Sequence, residues 1–292
     1  MIKILVTGAS GFVGKHILNE LKDTDHHILA LTRQDINFDG VEVLCGDLNN
    51  IEKLKSKIID FQPDTVIHLA WQGIPDYSES ISRVNLINSI DLLDFILSST
   101  RCKKLLVSGS CWEYGKREGT CKESDPVDID SYFSWAKNSL NQYLSIKCAK
   151  KNVTLNWFRI FYIYGPGQRE EALIPMLIKT IGAKETPQIN TPLDKIDFIY
   201  VEDVASAFVK ALDTDISSGV YNLGSGNATS VYDICRIVEK QLLGAEPITT
   251  KVTIKDEKRE TVNFWASLDL IKNELNWSPQ IPLDQGILNI NN

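Results

Sequence analysis

Residues 132–137 read Tyr-Phe-Ser-Trp-Ala-Lys, with a lysine four positions after an aromatic. This is the layout of a Tyr-x-x-x-Lys proton-transfer pair. A helix advances about 100° per residue, so four residues return a side chain to within about 40° of its starting face. Phe133 and Lys137 therefore share a face. A cation beside a phenol favours the phenolate and lowers its pKa, which suits a hydroxyl to acid–base work. Phe133 has no hydroxyl. Tyr132 has one, but it lies about 140° round the helix from Lys137 and reaches the same point only through a register shift or a bulge.

A second cluster suits an anion. Residues 8–14 read Gly-Ala-Ser-Gly-Phe-Val-Gly between an apolar β-branched run at 2–7 and a helical pattern through Leu21. Strand, glycine turn and helix together hold a dinucleotide pyrophosphate. Gly8 makes the tight turn, Gly11 admits the phosphates to the backbone and Gly14 allows close helix packing. Ser10, Phe12 and Val13 fill the turn and open the helix, whose N-terminus favours negative charge. A P-loop would need Gly-Lys-Ser/Thr after four residues from its first glycine, and the stretch fails that pattern. The second strand ends in Leu31-Thr32-Arg33-Gln34. An NAD site usually carries Asp or Glu there for the ribose 2′-hydroxyl. A carboxylate would repel a 2′-phosphate, whereas an arginine binds it through two charge-assisted hydrogen bonds. Arg33 with Thr32 thus reads as a 2′-phosphate clamp and the cofactor as NADP, with NAD as the alternative. The competing reading lays Arg33 on the adenine or leaves it in solvent.

The elements that must carry these groups alternate. Strands are expected at 27–31, 41–45, 65–69, 104–108 and 154–158, with helices at 82–97 and 132–149. Regular alternation implies an α/β fold with a doubly wound parallel sheet covered on both faces. After Gly165-Pro166-Gly167 the pattern loosens, and Pro175, Pro187 and Pro192 are expected to break the chain. A strand at 198–201, a helix at 202–212, a strand at 220–223 and helices at 231–243 and 268–275 complete the reading. The 292 residues suffice for a full core, and 43% hydrophobic content is ordinary for a globular chain. A net charge of −7 disfavours a nucleic-acid partner. No apolar run is long enough to span a membrane, and a strand directly after Met1 argues against a signal peptide. Six scattered cysteines without a Cys-x-x-Cys pair suggest a reducing, cytoplasmic setting and no metal site.

Further segments carry a resemblance when taken in order. They are Gly46-Asp47-Leu48, His68-Leu69-Ala70, Asn85, the stretch SGSCWEYG at 108–115, Tyr164-Gly165-Pro166-Gly167-Gln168, DFIYVEDV at 197–204, Arg259, and Trp277-x-Pro279. Over nearly its whole length the chain resembles the extended short-chain dehydrogenase/reductases, the nucleotide-sugar epimerase/dehydratase/reductase group. Ile196 stands where that group has an arginine. The resemblance implies a Rossmann sheet with a smaller C-terminal substrate lobe. Residues 1–164 plus about 195–223 would form the dinucleotide-binding domain, and about 165–194 plus 224–292 the nucleotide-sugar-binding lobe. It implies Asp47 and Leu48 against the adenine and Leu69 and Ala70 under the cofactor. It further implies hydride transfer at a sugar carbon, with a tyrosine moving the proton, Ser110 on the sugar oxygen and Lys137 on the nicotinamide ribose.

Phe133 is the departure. The favoured reading is an introduced Tyr→Phe change, because Ser110, Lys137, the glycine turn and Arg33 are all in place. A natural loss, leaving a non-catalytic dinucleotide-binding protein, and substitution by Tyr132 are the alternatives. Arg259 resembles the group's diphosphate-binding arginine or is a solvated charge. Trp71, Trp112 and Tyr162 follow strand ends and either line a sugar pocket or belong to the core. The short tail and the NADP reading favour a reductase of a nucleoside-diphosphate 4-keto-6-deoxy sugar over a 4-epimerase that recycles bound NAD. A homodimer is expected.

Overall fold

The structure, a computed structural model, describes residues 1–244 and 261–291. The apolar run after Met1 forms β1 (Lys3–Thr7), and α1 (Phe12–Leu21) follows the glycine turn. Next come β2 (His27–Thr32), β3 (Glu42–Cys45), α2 (Glu52–Phe61), β4 (Thr65–His68), α3 (Glu79–Ser99) and β5 (Lys104–Ser110). A short β6 (Glu118–Cys121) precedes α4 (Tyr132–Lys151) and β7 (Thr154–Ile160). Then follow β8 (Tyr162–Tyr164), α5 (Leu173–Gly182), β9 (Lys195–Tyr200), α6 (Val201–Asp213) and β10 (Gly219–Leu223). The last elements are β11 (Ala228–Ser230), α7 (Val231–Leu243), β12 (Asn263–Ala266), α8 (Asp269–Leu275) and α9 (Leu283–Asn291).

Among the described residues, seven strands form one parallel sheet in the order β3-β2-β1-β4-β5-β7-β10. Alternate side chains of each strand enter different cores, as a sheet covered on both faces requires. Ile4 and Val6 of β1 join the core that includes α1 and α6, while Leu5 joins the one that includes α2, α3 and α4. Strand order turns back between β1 and β4, and in open α/β sheets a crevice forms at the carboxyl ends of the strands at such a point. Register aims three loops at it: Thr7 stands opposite Leu31 on one side and His68 on the other. Gly8, Thr32 and Leu69 therefore leave the sheet side by side.

A second sheet runs β11-β9-β12-β6, with β8 paired to β9. It draws β6 and β9 from stretches that the sequence assigns to the dinucleotide-binding domain. β6 is short and carries Gly119, and its partner β12 lies far along the chain, so neither has a local signature. Pro175 does not break its segment as the sequence suggested. It sits in the first turn of α5, where an N–H would have no intrahelical partner, so the N–H that proline lacks is not missed. Among the described residues no helix is long and apolar enough to cross a membrane, and no group of three or more His, Cys, Asp or Glu side chains is arranged to hold a metal.

Candidate active site

The glycine turn is shaped by contacts that exclude side chains. Gly8 has φ +69°, and a Cβ there would lie 2.8 Å from the Ala70 backbone nitrogen. A Cβ on Gly14 would lie 2.3 Å from the Gly8 carbonyl oxygen. Gly11 N–H donates to that same oxygen at 2.9 Å and tightens the turn. Gly11 also caps α1 without a side-chain hydrogen bond, so the first-turn amides remain open to an anion. Phe12 and Val13 begin α1; the Phe12 ring meets His16 edge-on at 5.9 Å. His16 Nε2 donates to the Pro166 carbonyl at 2.9 Å and ties the Tyr164-Gly165-Pro166 turn to this helix.

A cleft of about 600 Å³ opens over the turn, with Ser10, Thr32, Arg33, Asp47, Leu48, Leu69 and Ala70 in its walls. Thr32 donates its hydroxyl to the Gln34 carbonyl, which fixes the corner that carries Arg33. Among the described residues Arg33 forms no salt bridge. Asp47 caps the turn after β3, accepting from Asn49 N–H at 2.8 Å. Beneath the cleft, Thr7 Oγ1 accepts from the amides of Leu69 and Ala70 at 3.3 and 3.2 Å. Its proton is therefore left for His68 Nδ1, 2.9 Å away, and His68 Nε2–H points to Ser89 Oγ at 3.0 Å. Burial first, and then the positive Lys137, push the His68 pKa down to about 3, so the ring is neutral. A neutral ring that satisfies both neighbours holds the floor in place. The strap after β4 is held by Asn85, which accepts from Gln72 N–H at 2.8 Å and donates to the Gln72 carbonyl at 3.0 Å.

α4 starts at a capping box in which Ser131 and Ser134 bond each other's amides, and this fixes the helix register. Lys137 and Phe133 both point inward, only 5% and 7% exposed. Lys137 Nζ donates to the Ser108 carbonyl at 2.7 Å and lies 4.1 Å above the Trp71 ring. Burial lowers its pKa to about 7, opposed by the negative charge of Glu113. The Phe133 ring is enclosed by Trp71 at 5.4 Å, Tyr77 at 5.1 Å and Trp112 at 5.7 Å. Tyr132 turns away: it is 52% exposed and lines a different depression beside Trp135. Ser110 ends β5 and accepts from Trp112 N–H at 3.2 Å. Its own amide donates to Glu113 at 2.9 Å, and the buried Glu113 is in turn held by Trp157 and Arg159 at 2.9 and 3.0 Å.

A second cavity of about 840 Å³ adjoins the sheet end, with Trp112, Lys116, Arg117, Tyr162 and Phe264 among its lining residues. Trp112 Nε1 donates to the Tyr162 hydroxyl at 3.1 Å, so these two rings form one wall. Trp71 lines the first cleft instead, and its buried indole N–H has no hydrogen-bond partner among the described residues. Arg259 lies outside the described residues.

The sequence profile described as "NAD dependent epimerase/dehydratase family" matches residues 4–224. The chain belongs to this family. Over 98% of its length it is 27% identical to UDP-glucuronate 4-epimerase 4 of Arabidopsis thaliana, covering 74% of that protein. It is 26% identical to the dTDP-4-dehydro-6-deoxyglucose reductase of Escherichia coli, over 97% of this chain and 95% of the other. The solved structure of MoeE5 in complex with UDP-glucuronic acid and NAD superposes with a TM-score of 0.84 at 25% identity, over 98% of this chain and 96% of that one. Epimerases and reductases of nucleotide sugars thus share this family and fold.

A dinucleotide fits this chain's first cleft on its own geometry: open helix amides, two glycines with no room for a Cβ, and an unpartnered indole N–H at the wall. Several participants were not legible beforehand. Thr7, Glu113 and Arg159 act through burial and long-range hydrogen bonds, which leave no local pattern. Lys116, Arg117 and Tyr77 sit in loops, and only the tertiary fold brings the first two to the second cavity and Tyr77 against Phe133 and Trp112.

Proposed function

We propose that this chain is an NADP-dependent reductase of a nucleoside-diphosphate 4-keto-6-deoxy sugar, acting in deoxysugar biosynthesis, with Phe133 at the position of the reaction's tyrosine. The observation that carries the reading is Arg33, a cation without a described ion-pair partner in the cleft wall where an NAD site usually keeps a carboxylate. The relative named as a dTDP-4-dehydro-6-deoxyglucose reductase, matched along almost its full length, supports it.

In this reading the amides after Gly11, with Ser10, hold the pyrophosphate. Thr32 and Arg33 bind the 2′-phosphate, Asp47 and Leu48 border the adenine, and Leu69 and Ala70 form the floor. Bound NADPH would supply the hydride. Lys137 donates to the nicotinamide ribose from a nitrogen already aimed by Ser108. Ser110 donates to the sugar carbonyl oxygen, its backbone fixed by Glu113. Trp112 and Tyr162 present a flat apolar wall to the sugar, and Arg259 pairs with the diphosphate. The large parallel sheet serves the dinucleotide, and the smaller lobe serves the nucleotide sugar. Exposed apolar side chains on α3 and α4 (Ile87, Tyr132, Trp135 and Ile146) favour a homodimer through these helices; sedimentation at micromolar concentration tests this. The protein would work in the cytoplasm, where free cysteines stay reduced.

The test is a pair of dissociation constants. NADPH is expected to bind at least tenfold more tightly than NADH, and Arg33→Ala to abolish the difference. Equal affinities in the unmodified chain would refute the NADP assignment. The second reading is a 4-epimerase that recycles NAD, favoured by the solved relative that holds NAD with a nucleotide sugar. The two differ in stoichiometry: a reductase consumes one NADPH per product, and an epimerase consumes none.

A further inference from the structure

The hydroxyl absent from Phe133 leaves a gap in the proton path, and one phenol stands beside it. We infer that Tyr77 donates the proton to the sugar oxygen in this chain as it stands. The inference rests on the reductase reading.

Among the described residues Tyr77 is the one tyrosine whose ring packs on Phe133, at 5.1 Å and an interplanar angle of 65°. It also packs on Trp112 at 4.9 Å, two residues past Ser110. Its loop is fixed on both sides. Gln72 is clamped by Asn85, and Asp76 accepts from Ser78 N–H at 2.8 Å while its own amide donates to Gly73 at 2.6 Å. The side chain is thus delivered to the catalytic helix by a constrained strap. The Tyr77 hydroxyl makes no hydrogen bond to a described residue, so it is available to a ligand.

The other phenols nearby are less suited. Tyr132 faces outward. The Tyr162 hydroxyl already accepts from the Trp112 indole, and its ring packs on Phe198 and Phe264 rather than on Phe133. Tyr77 sits half-buried in an aromatic box. Burial favours its neutral, proton-carrying form, and the positive charge of Arg169 offsets part of that effect. A neutral donor with a cation nearby to steady the phenolate is what proton delivery requires.

The step balances. The carbonyl carbon gains the hydride lost by the reduced dinucleotide, and the C=O π pair moves to oxygen. That oxygen forms a new O–H bond with the Tyr77 proton as the Tyr77 O–H bond breaks. The phenolate then regains a proton from solvent.

The experiment compares the unmodified chain, Tyr77→Phe, Phe133→Tyr and the double variant. Single-turnover NADPH oxidation is followed with dTDP-4-dehydro-6-deoxyglucose and its CDP counterpart. Tyr77→Phe is expected to slow the unmodified chain by about 10²-fold, the low end of what a positioned proton donor contributes. In the Phe133→Tyr background the same change should cost only a few-fold. Dissociation constants for NADPH and the sugar nucleotide should stay within a factor of about two, since one hydroxyl is removed and the ring is kept. A readout without turnover accompanies it. In ultraviolet difference titration of the cofactor-free chain, adding the sugar nucleotide should shift one tyrosine, and that shift should vanish in Tyr77→Phe. Unchanged turnover in Tyr77→Phe overturns the inference. So does an inactive unmodified chain whose Phe133→Tyr variant is active, and in both cases the reductase reading survives. Inactivity of all four with every sugar nucleotide removes the reductase reading and the inference with it.

Discussion

Restoring a phenol at position 133 is the most direct probe of this site. Phe133→Tyr adds one oxygen to a ring held by Trp71, Tyr77 and Trp112. Lys137 Nζ lies 6.0 Å from the centre of that ring. A charge at this range, at an effective dielectric of about 20, favours the phenolate by about 3 kcal/mol. That corresponds to about two pKa units, against which burial acts in the opposite direction. The introduced phenol should titrate below its ordinary value near 10. Lys137 is itself depressed to about 7 by burial, and a phenolate formed beside it would in turn favour its charged form. Ketone reduction needs the protonated phenol, and its rate should be level through neutral pH and fall only as the phenol itself ionises toward about pH 9. Oxidation of the alcohol product needs the phenolate and should show the reverse trend. With Tyr77 already supplying part of the proton path, the gain over the unmodified chain should be roughly 10–10²-fold. Over Tyr77→Phe it should approach the full 10²–10⁴-fold of a positioned donor. The assay is single-turnover NADPH oxidation from pH 6 to 9, with Tyr132→Phe in both backgrounds. A flat rate in Phe133→Tyr, together with loss of activity in Tyr132→Phe, would show that the exposed Tyr132 is the donor and that the shared helical face has been misread.

Gly14→Ala should abolish the shift in melting temperature that millimolar NADPH gives the unmodified chain, because its Cβ would meet the Gly8 carbonyl at 2.3 Å and force the turn from α1. Differential scanning fluorimetry with and without NADPH checks both parts. Acid should unfold the protein partly through His68. The folded ring stays neutral down to about pH 3, whereas the unfolded ring takes up a proton near 6.5. The sign is therefore a loss of stability as pH falls, on the order of 3 kcal/mol between pH 7 and pH 4 from this group alone. Urea unfolding at the two pH values measures it, and His68→Gln should show a shallower pH dependence by about one proton.

Much of this protein was legible in its sequence because the relevant physics is local. Residues 2–7 and 8–14 specify a buried strand and a phosphate turn through β-branching and glycine spacing, and β1, the turn and α1 follow that reading. The shared face of Phe133 and Lys137 follows from helical pitch alone, and so does the outward turn of Tyr132. The strand-by-strand alternation implied the parallel sheet, since each βα unit buries a predictable face. Tertiary structure decided what depends on distant partners. β6 becomes a strand by pairing with β12, which itself pairs with β9, and α5 accepts Pro175 because the first helical turn needs no N–H there. The neutral state of His68 depends on burial and on Lys137, and the anchoring of Ser110 depends on Glu113, Trp157 and Arg159. The arrival of Tyr77 beside Phe133 belongs to the same class, because a loop carries no periodicity that says which way its side chain points. Local sequence fixes the backbone of a turn or helix, but the environment of a side chain is set by residues that folding alone brings near.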